Sequence, residues 1–253
     1  MTFATQLQHL LEFDGAVLAN TIGYLDPTPA AELYMGGDIL CQTPGTGPMV
    51  GVAVTCEIDS STSGGSNEMD LYYDQLEQIY PIAEPVVWVV KAVGSRPEHE
   101  CIMGDGMAKS LQAAGCVGIV TNGGLRDVPS YSAVPFKAFA RGRVIHHAAL
   151  RVRRINEPVE VGGLTIRPGD IIHGSDEGVV RVPRACLAQL PERAAQMRAF
   201  EYEAHFIFRD PAIPLRSKSG LVKKLLEKYG FAYAAFFAVV IRGSAGSPAK
   251  SLG

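Results

Sequence analysis

The sequence has no surplus of positive charge. Lysine and arginine number 23 against 26 acidic residues, for a formal net charge of −3. No basic stripe is available to track a phosphate backbone, so nucleic-acid binding is not expected. Cysteine is sparse and odd in number, at Cys41, Cys56, Cys101, Cys116 and Cys186. Those wide spacings supply neither a disulfide frame nor a zinc site and read as reduced core thiols of a cytoplasmic protein. None sits in a nucleophile motif. The first twelve residues lack the basic start and continuous apolar run of a secretory leader. The apolar run 231–241 is too short to span a bilayer, so no membrane partner is expected. The small-residue loop 60–67 is not followed by Gly-Lys-Ser/Thr, which excludes a Walker loop. No glycine-rich motif suits S-adenosylmethionine.

What is present is ample apolar material. Hydrophobic residues make up 47% of 253, enough for one large domain, read here as residues 1–209, with a C-terminal extension over 210–253. Residues 1–12 read as an amphipathic helix with Phe3, Leu7, Leu10 and Leu11 inward, and 17–22 as a second helix. Stretches 50–58, 85–93, 117–120 and 134–139 read as buried strands, and 36–48 as loop. Asn67 is placed to cap a helix over 68–78. Residues 151–155 alternate like an exposed strand, 159–166 form a hairpin turning at Gly162-Gly163, and 171–174 and 178–182 are short strands. Helices are expected over 183–198 and 221–229, and 231–241 is expected to be buried against the core or another subunit. Residues 243–253 read as disordered.

The stretch richest in chemistry is 104–127, GDGMAKSLQAAGCVGIVTNGGLRD. A glycine turn carries Asp105. A helix follows with Met107, Leu111 and Ala114 at helical spacing, capped by Gly115. A buried strand then leads through Gly123-Gly124 to Arg126-Asp127. The amides of Gly106 and Met107 would open a helix N-terminus, a natural anion site. Arg126 can hold a carboxylate through two parallel hydrogen bonds. Asp105 and Asp127 are hard oxygen ligands suited to Mg²⁺ or Mn²⁺. Together these suggest a 2-oxo acid site. The same residue types also describe a plain βα turn with a surface salt bridge. Arg96, His99 and the adjacent His146-His147 are further candidates, each more simply read as solvated. Asp176 and Glu177 read as turn residues.

This stretch resembles the signature of the RraA-like family, which holds the divalent-metal class II 4-hydroxy-4-methyl-2-oxoglutarate aldolases and the regulators of ribonuclease activity A. NEPVEVGGLTIRPGD at 156–170 and GSDEGVV at 174–180 are similar to a second family block, as are FARG at 139–142 and the 50–58 strand. The resemblance covers about residues 10 to 200. It implies an α/β fold with a layered α-β-β-α, swivelling-domain-like core, here with a C-terminal helical extension. It also implies a homotrimer or hexamer with sites at subunit interfaces, where a distal glutamate from a neighbour can complete the metal's outer shell. Residue by residue, it makes Asp127 the direct metal ligand and Asp105 the acid near the metal's waters. Arg126, with the amides of Gly106 and Met107, would bind the substrate carboxylate. The activity implied is retro-aldol cleavage of 4-hydroxy-2-oxo acids to pyruvate, with oxaloacetate decarboxylation at the same site. Two positions depart from the pattern. Ser130 stands where the aldolases usually carry an acid, and the strand ends Thr121-Asn122-Gly123 where the family often has Asp-Gly. Ser130 favours the alternative, a non-catalytic regulator binding a protein such as ribonuclease E.

Overall fold

The structure, a computed structural model, describes residues 2–133 and 135–231. The expectations for the apolar run after Phe231 and for 243–253 lie outside those residues. In chain order come α1 (Phe3–Leu10), α2 (Gly15–Leu25), β1 (Leu40–Cys41), β2 (Met49–Asp59), α3 (Asp70–Ile79) and β3 (Val86–Ala92). Next are β4 (Cys101–Met103), α4 (Asp105–Ala114), β5 (Cys116–Thr121), β6 (Gly124–Leu125), β7 (Lys137–Ala140) and β8 (Gly142–Arg143). The chain continues with β9 (Arg151–Ile155), β10 (Val159–Val161), β11 (Leu164–Ile166), β12 (Ile171–Ser175) and β13 (Gly178–Val182). It closes with α5 (Leu190–Arg209) and α6 (Leu215–Lys228).

The main sheet runs β1-β7-β5-β3-β2-β12-β13, with β9 also paired to β2. Strands β2, β3, β5 and β7 are parallel, and β12, β13 and β9 join antiparallel. Strand β2 is long enough to serve two neighbours. Residues Met49 to Val52 pair with β12, and Cys56 to Asp59 pair with β9. It is apolar and β-branched throughout because it is covered on both faces. The single tryptophan, Trp88 in β3, is fully buried, yet its indole N–H reaches Gln75 Oε1 at 2.7 Å. Gln75 in turn donates to Thr55 O at 2.8 Å, so this polar pair inside the core is satisfied.

A second, all-parallel sheet of β4, β6 and β8 repeats the order of the first. Strands β3, β5 and β7 each lead, after a break, into β4, β6 and β8. The break after β5 is Asn122-Gly123. Asn122 Oδ1 accepts the Ala92 amide at 2.7 Å, holding the end of β3, and a Cβ on Gly123 would lie 2.6 Å from Ile102. The fold therefore delivers the chain just after β4 and the chain just after β6 side by side. One apolar cluster lies between the sheet and α3 and α4, a second gathers α1, α2, α5 and α6, and a third packs the β10–β11 hairpin. The α/β class and the C-terminal helical part are as expected. Among the described residues no helix is long and apolar enough to cross a membrane.

Several local expectations are corrected. Leu11 falls past the end of α1 and is exposed. Asp14, not a residue nearer Val17, caps α2, accepting the Val17 amide at 2.8 Å. Asn67 does not cap α3, which starts at Asp70; its Oδ1 instead accepts the Leu150 amide at 2.8 Å. The loop 36–48 contains β1. Strand β7 starts only at Lys137. Strand β9 is buried at Arg151 and Val152 because it lies against β2. A 3-10 turn precedes α5, which runs to Arg209. Asp176 is structural, as read: its carboxylate meets the buried Lys137 ammonium and accepts the Gly45 amide at 2.9 Å. That ammonium is the main reason its carboxyl sits below the usual range.

His173 in β12 is fully buried against the α1–α2 corner, and neither ring nitrogen has a well-formed hydrogen bond. Burial pushes its pKa down to about 4 from 6.5, with the Leu10 and Phe13 backbone and Asp14 acting weakly the other way. Between those values the unfolded chain binds the extra proton, so stability falls as pH drops through 6.5 towards 4. We expect a loss of about 2 kcal/mol by pH 5 relative to pH 7.5. Urea midpoints at the two pH values measure it. The difference should largely vanish in His173→Leu.

Candidate functional site

The junctions after β4 and β6 meet through backbone pairing. The Arg126 amide donates to Met103 O at 3.0 Å, and the Gly124 amide to Glu100 O at 2.8 Å. The buried Tyr131 hydroxyl lies 3.2 Å from Met103 O and 2.9 Å from Arg126 O, tying both strand ends together. Beneath them, the fully buried Glu100 carboxylate accepts the Ser60 amide at 2.9 Å and the Ser61 hydroxyl at 2.9 Å. A Cβ on Gly94 would lie 1.9 Å from that carboxylate, so glycine is required there. These bonds pin the start of the 60–67 loop to the base of β4.

Helix α4 starts at Asp105, directly after β4, and ends on Gly115 in the left-handed region at φ 116°. Its first intrahelical bond is Ala108 N to Gly104 O at 3.1 Å. The amides of Gly106 and Met107 precede it and have no intrahelical acceptor. The Asp105 carboxylate meets Lys109 Nζ at 2.6 Å, one helical turn on. The Lys109 hydrogen bond and charge lower its pKa most, with smaller help from the Gly106 amide and Arg126.

Arg126 Nε lies 3.3 Å from Asp127 Oδ2. Neighbours in an extended chain point apart. They meet here because Asp127 adopts a left-handed backbone at φ 56°. The close approach needs Gly104, where a Cβ would lie 2.8 Å from Asp127 Oδ2 and 2.9 Å from Arg126 Nε. Ser130 is exposed and turns back through its amide to Asp127 O at 2.8 Å.

A pocket of about 340 Å³ lies against these groups. Cys101 to Met107 and Arg126 form one side, and Asn67, Met69, His147 and Leu150 form the other. The structure thus brings Asp105, Gly106, Met107 and Arg126 to one pocket, with Asp127 paired to Arg126 at its edge. Arg96 and His99 are not among its lining; they bond each other at 2.7 Å. His147 does line it, while His146 is exposed. Met69 and Leu150 were not anticipated, since lone apolar residues in loops carry no periodic signal. Asn67 was visible only as part of a small-residue loop. Cys101 lines the wall, but burial holds its thiol up at about 11, so it stays protonated. A larger apolar cavity of about 650 Å³ among α2, α5 and α6 holds none of the expected groups.

The donor set suits a hard divalent ion. Asp127 is a half-exposed carboxylate, and among the described residues no cluster of three or more His, Cys, Asp or Glu side chains is placed to hold a metal. One protein carboxylate, with waters and substrate oxygens, is how Mg²⁺ is often bound.

Comparison with known proteins places these residues in context. The RraA-like profile, described as Aldolase/RraA, matches residues 32–181. A Halalkalibacterium halodurans protein named as a candidate 4-hydroxy-4-methyl-2-oxoglutarate aldolase is 31% identical over 146 residues, 56% of this chain and 67% of that protein. DlpA of Legionella pneumophila is 30% identical over 115 residues, 44% of this chain but only 19% of that larger protein. Among solved structures, RraAS2 of Streptomyces coelicolor, described as an unusual member of the RNase ES inhibitor RraA protein family, aligns with TM-score 0.63 at 21% identity. That alignment covers 81% of this chain and 97% of RraAS2. The last likeness is one of fold.

Gly104→Ala tests the geometry. The added methyl meets only side-chain ends, so the fold should lose no more than about 1 kcal/mol. The Arg126–Asp127 pair must shift, and pyruvate binding measured by calorimetry should weaken about tenfold.

Proposed function

This chain belongs to the RraA-like family, and on that footing we propose that it is a divalent-metal-dependent carbon–carbon lyase cleaving 4-hydroxy-2-oxo acids to pyruvate. One observation carries the reading. Free helix amides, a guanidinium and two carboxylates converge on one small pocket from the ends of two adjacent parallel strands. Asp127 would hold Mg²⁺ or Mn²⁺, which when bound supplies Lewis-acid polarisation of the 2-oxo group. Arg126 engages Asp127 through Nε, which leaves its two terminal nitrogens to grip the substrate carboxylate. The Gly106 and Met107 amides hold the same carboxylate. These fixed donors stabilise the charge that develops as the C3–C4 bond breaks. Asp105, kept ionised by Lys109, takes the 4-hydroxyl proton through a water. Oxaloacetate decarboxylation develops the same charge and belongs to the same site.

The assembly proposed is a homotrimer or hexamer. Ile145, beside the pocket wall, is 92% exposed and is a side chain such a contact would cover. Light scattering at micromolar concentration tests this, and a monodisperse monomer would refute it.

A regulator of the same fold is the second reading, supported by Ser130 in place of an acid. Pyruvate release separates the two. The lyase should lose turnover in EDTA and regain it with Mg²⁺ or Mn²⁺. Asp127→Ala should lower kcat/KM by about a hundredfold or more. Arg126→Lys should also fail, since an ammonium cannot reproduce the planar bidentate grip. Both variants should keep wild-type circular dichroism because both side chains are partly exposed. Wild-type turnover in folded Asp127→Ala would sink the lyase reading. A regulator would turn over no oxo acid and would keep partner binding in both variants.

A further inference from the structure

The second side of the pocket carries its own polar groups. Asn67 Oδ1 is occupied by the Leu150 amide at 2.8 Å, which leaves Asn67 Nδ2 as an unspent donor. His147 Nδ1 lies 2.6 Å from Ala148 O. A carbonyl can only accept, so Nδ1 carries the proton and Nε2 of the neutral ring is an unspent acceptor. The loop bearing them is anchored, with the Ala148 amide donating to Ser60 O at 2.8 Å and the Glu68 amide to Leu150 O at 2.9 Å. This side therefore offers one donor and one acceptor beside the apolar Met69 and Leu150.

That pair matches a hydroxyl, which both donates and accepts. It does not match a carboxylate, which only accepts and would face the Nε2 lone pair. Nor is a second fixed cation at hand. Arg151 is spent on Asp59, Thr62 O and Gly64 O, and Arg153 on Asp59 and Glu68. Arg143 is exposed and is not part of the pocket lining. Arg126 is the one guanidinium lining the pocket among the described residues, and the first carboxylate uses it.

We infer that the substrate carries a single carboxylate. Its acceptor half is short and uncharged, with the 4-hydroxyl donating to His147 Nε2 and accepting from Asn67 Nδ2. The inference rests on the 2-oxo acid reading of the pocket and narrows its substrate class. His147 and Asn67 are then the residues that set specificity.

The test compares two substrates that differ only at C5, 4-hydroxy-2-oxopentanoate and 4-hydroxy-2-oxoglutarate, with full-length protein and Mg²⁺. Wild type should favour the monocarboxylate in kcat/KM by about tenfold or more. His147→Arg adds a guanidinium to this side and should reverse the order. Asn67→Asp keeps the acceptor for the Leu150 amide but loses Nδ2, so it should lower kcat/KM for both substrates and widen the gap between them. Calorimetry with the non-cleavable pair 2-oxopentanoate and 2-oxoglutarate gives the same ranking without turnover and stands even if the Arg variant fails to fold. Equal or better use of the dicarboxylate by wild type overturns this inference and leaves the lyase reading intact. Pyruvate release from neither substrate overturns both.

Discussion

The site depends on one carbonyl oxygen. Met103 O ends β4, accepts the Arg126 amide and shares the Tyr131 proton with Arg126 O. Through it the start of α4 and the Arg126-Asp127 pair are fixed at neighbouring strand ends rather than on two loose loops. Each such bond contributes only about 1 kcal/mol to stability. Its larger effect is positional, since a displacement of about 1 Å between binding groups can cost a hundredfold in rate. The bond is available because β4, β6 and β8 repeat the order of the strands that precede them. A ligand site outside the carboxyl ends of parallel strands is the usual consequence of such a layout.

The magnitudes at Asp127 argue that its conformation does not serve stability. A left-handed backbone on a residue other than glycine costs about 1–2 kcal/mol, somewhat less for aspartate. The pair it makes with Arg126 is 36% and 44% exposed at its two side chains, and such pairs typically contribute 0–1 kcal/mol. The gain does not exceed the strain. Gly104 adds a further constraint, since any Cβ there would meet the pair. The bland reading, a turn with a surface salt bridge, describes an arrangement that would relax if nothing else required it. A carboxylate and a guanidinium held at a pocket edge against a small net cost are better explained by a ligand they jointly address.

Most of this was legible where a local rule carried the information. The glycine after α4, the apolar β-branched runs and the Gly162-Gly163 hairpin all declare themselves within a few residues. The five cysteines were correctly read as inert, and four of them are buried. The first side of the pocket was readable because Gly104 to Met107 and Arg126-Asp127 lie within one continuous stretch. The second side was not. Asn67 looked like a helix cap because its spacing to 68–78 was right, but the Leu150 amide, 83 positions away, takes its oxygen. His147 looked like half of a solvated pair, and its place in the pocket follows from a backbone bond between Ala148 and Ser60 that no periodicity encodes. Strand β9 read as exposed for the same reason, because its burial is decided by β2.

One backbone can carry both a lyase and a regulator because the fold itself supplies part of the site. The amides at the start of α4 are unpaired by helix geometry whatever side chains follow, so an anion-binding corner comes with the architecture. Chemistry needs more than that corner. It needs a guanidinium shaped for a carboxylate, an oxygen ligand beside it and an ionised acid within reach. Those are three side chains, at 126, 127 and 105, and this chain carries all three in contact or near contact with one another. Ser130 removes a fourth carboxyl but none of these. Its amide still closes the turn on Asp127 O at 2.8 Å, so the local geometry that presents Asp127 is kept. A protein that used this surface only to bind another protein would need neither the strained aspartate nor the glycine that makes room for it. The presence of both places the weight on small-molecule chemistry.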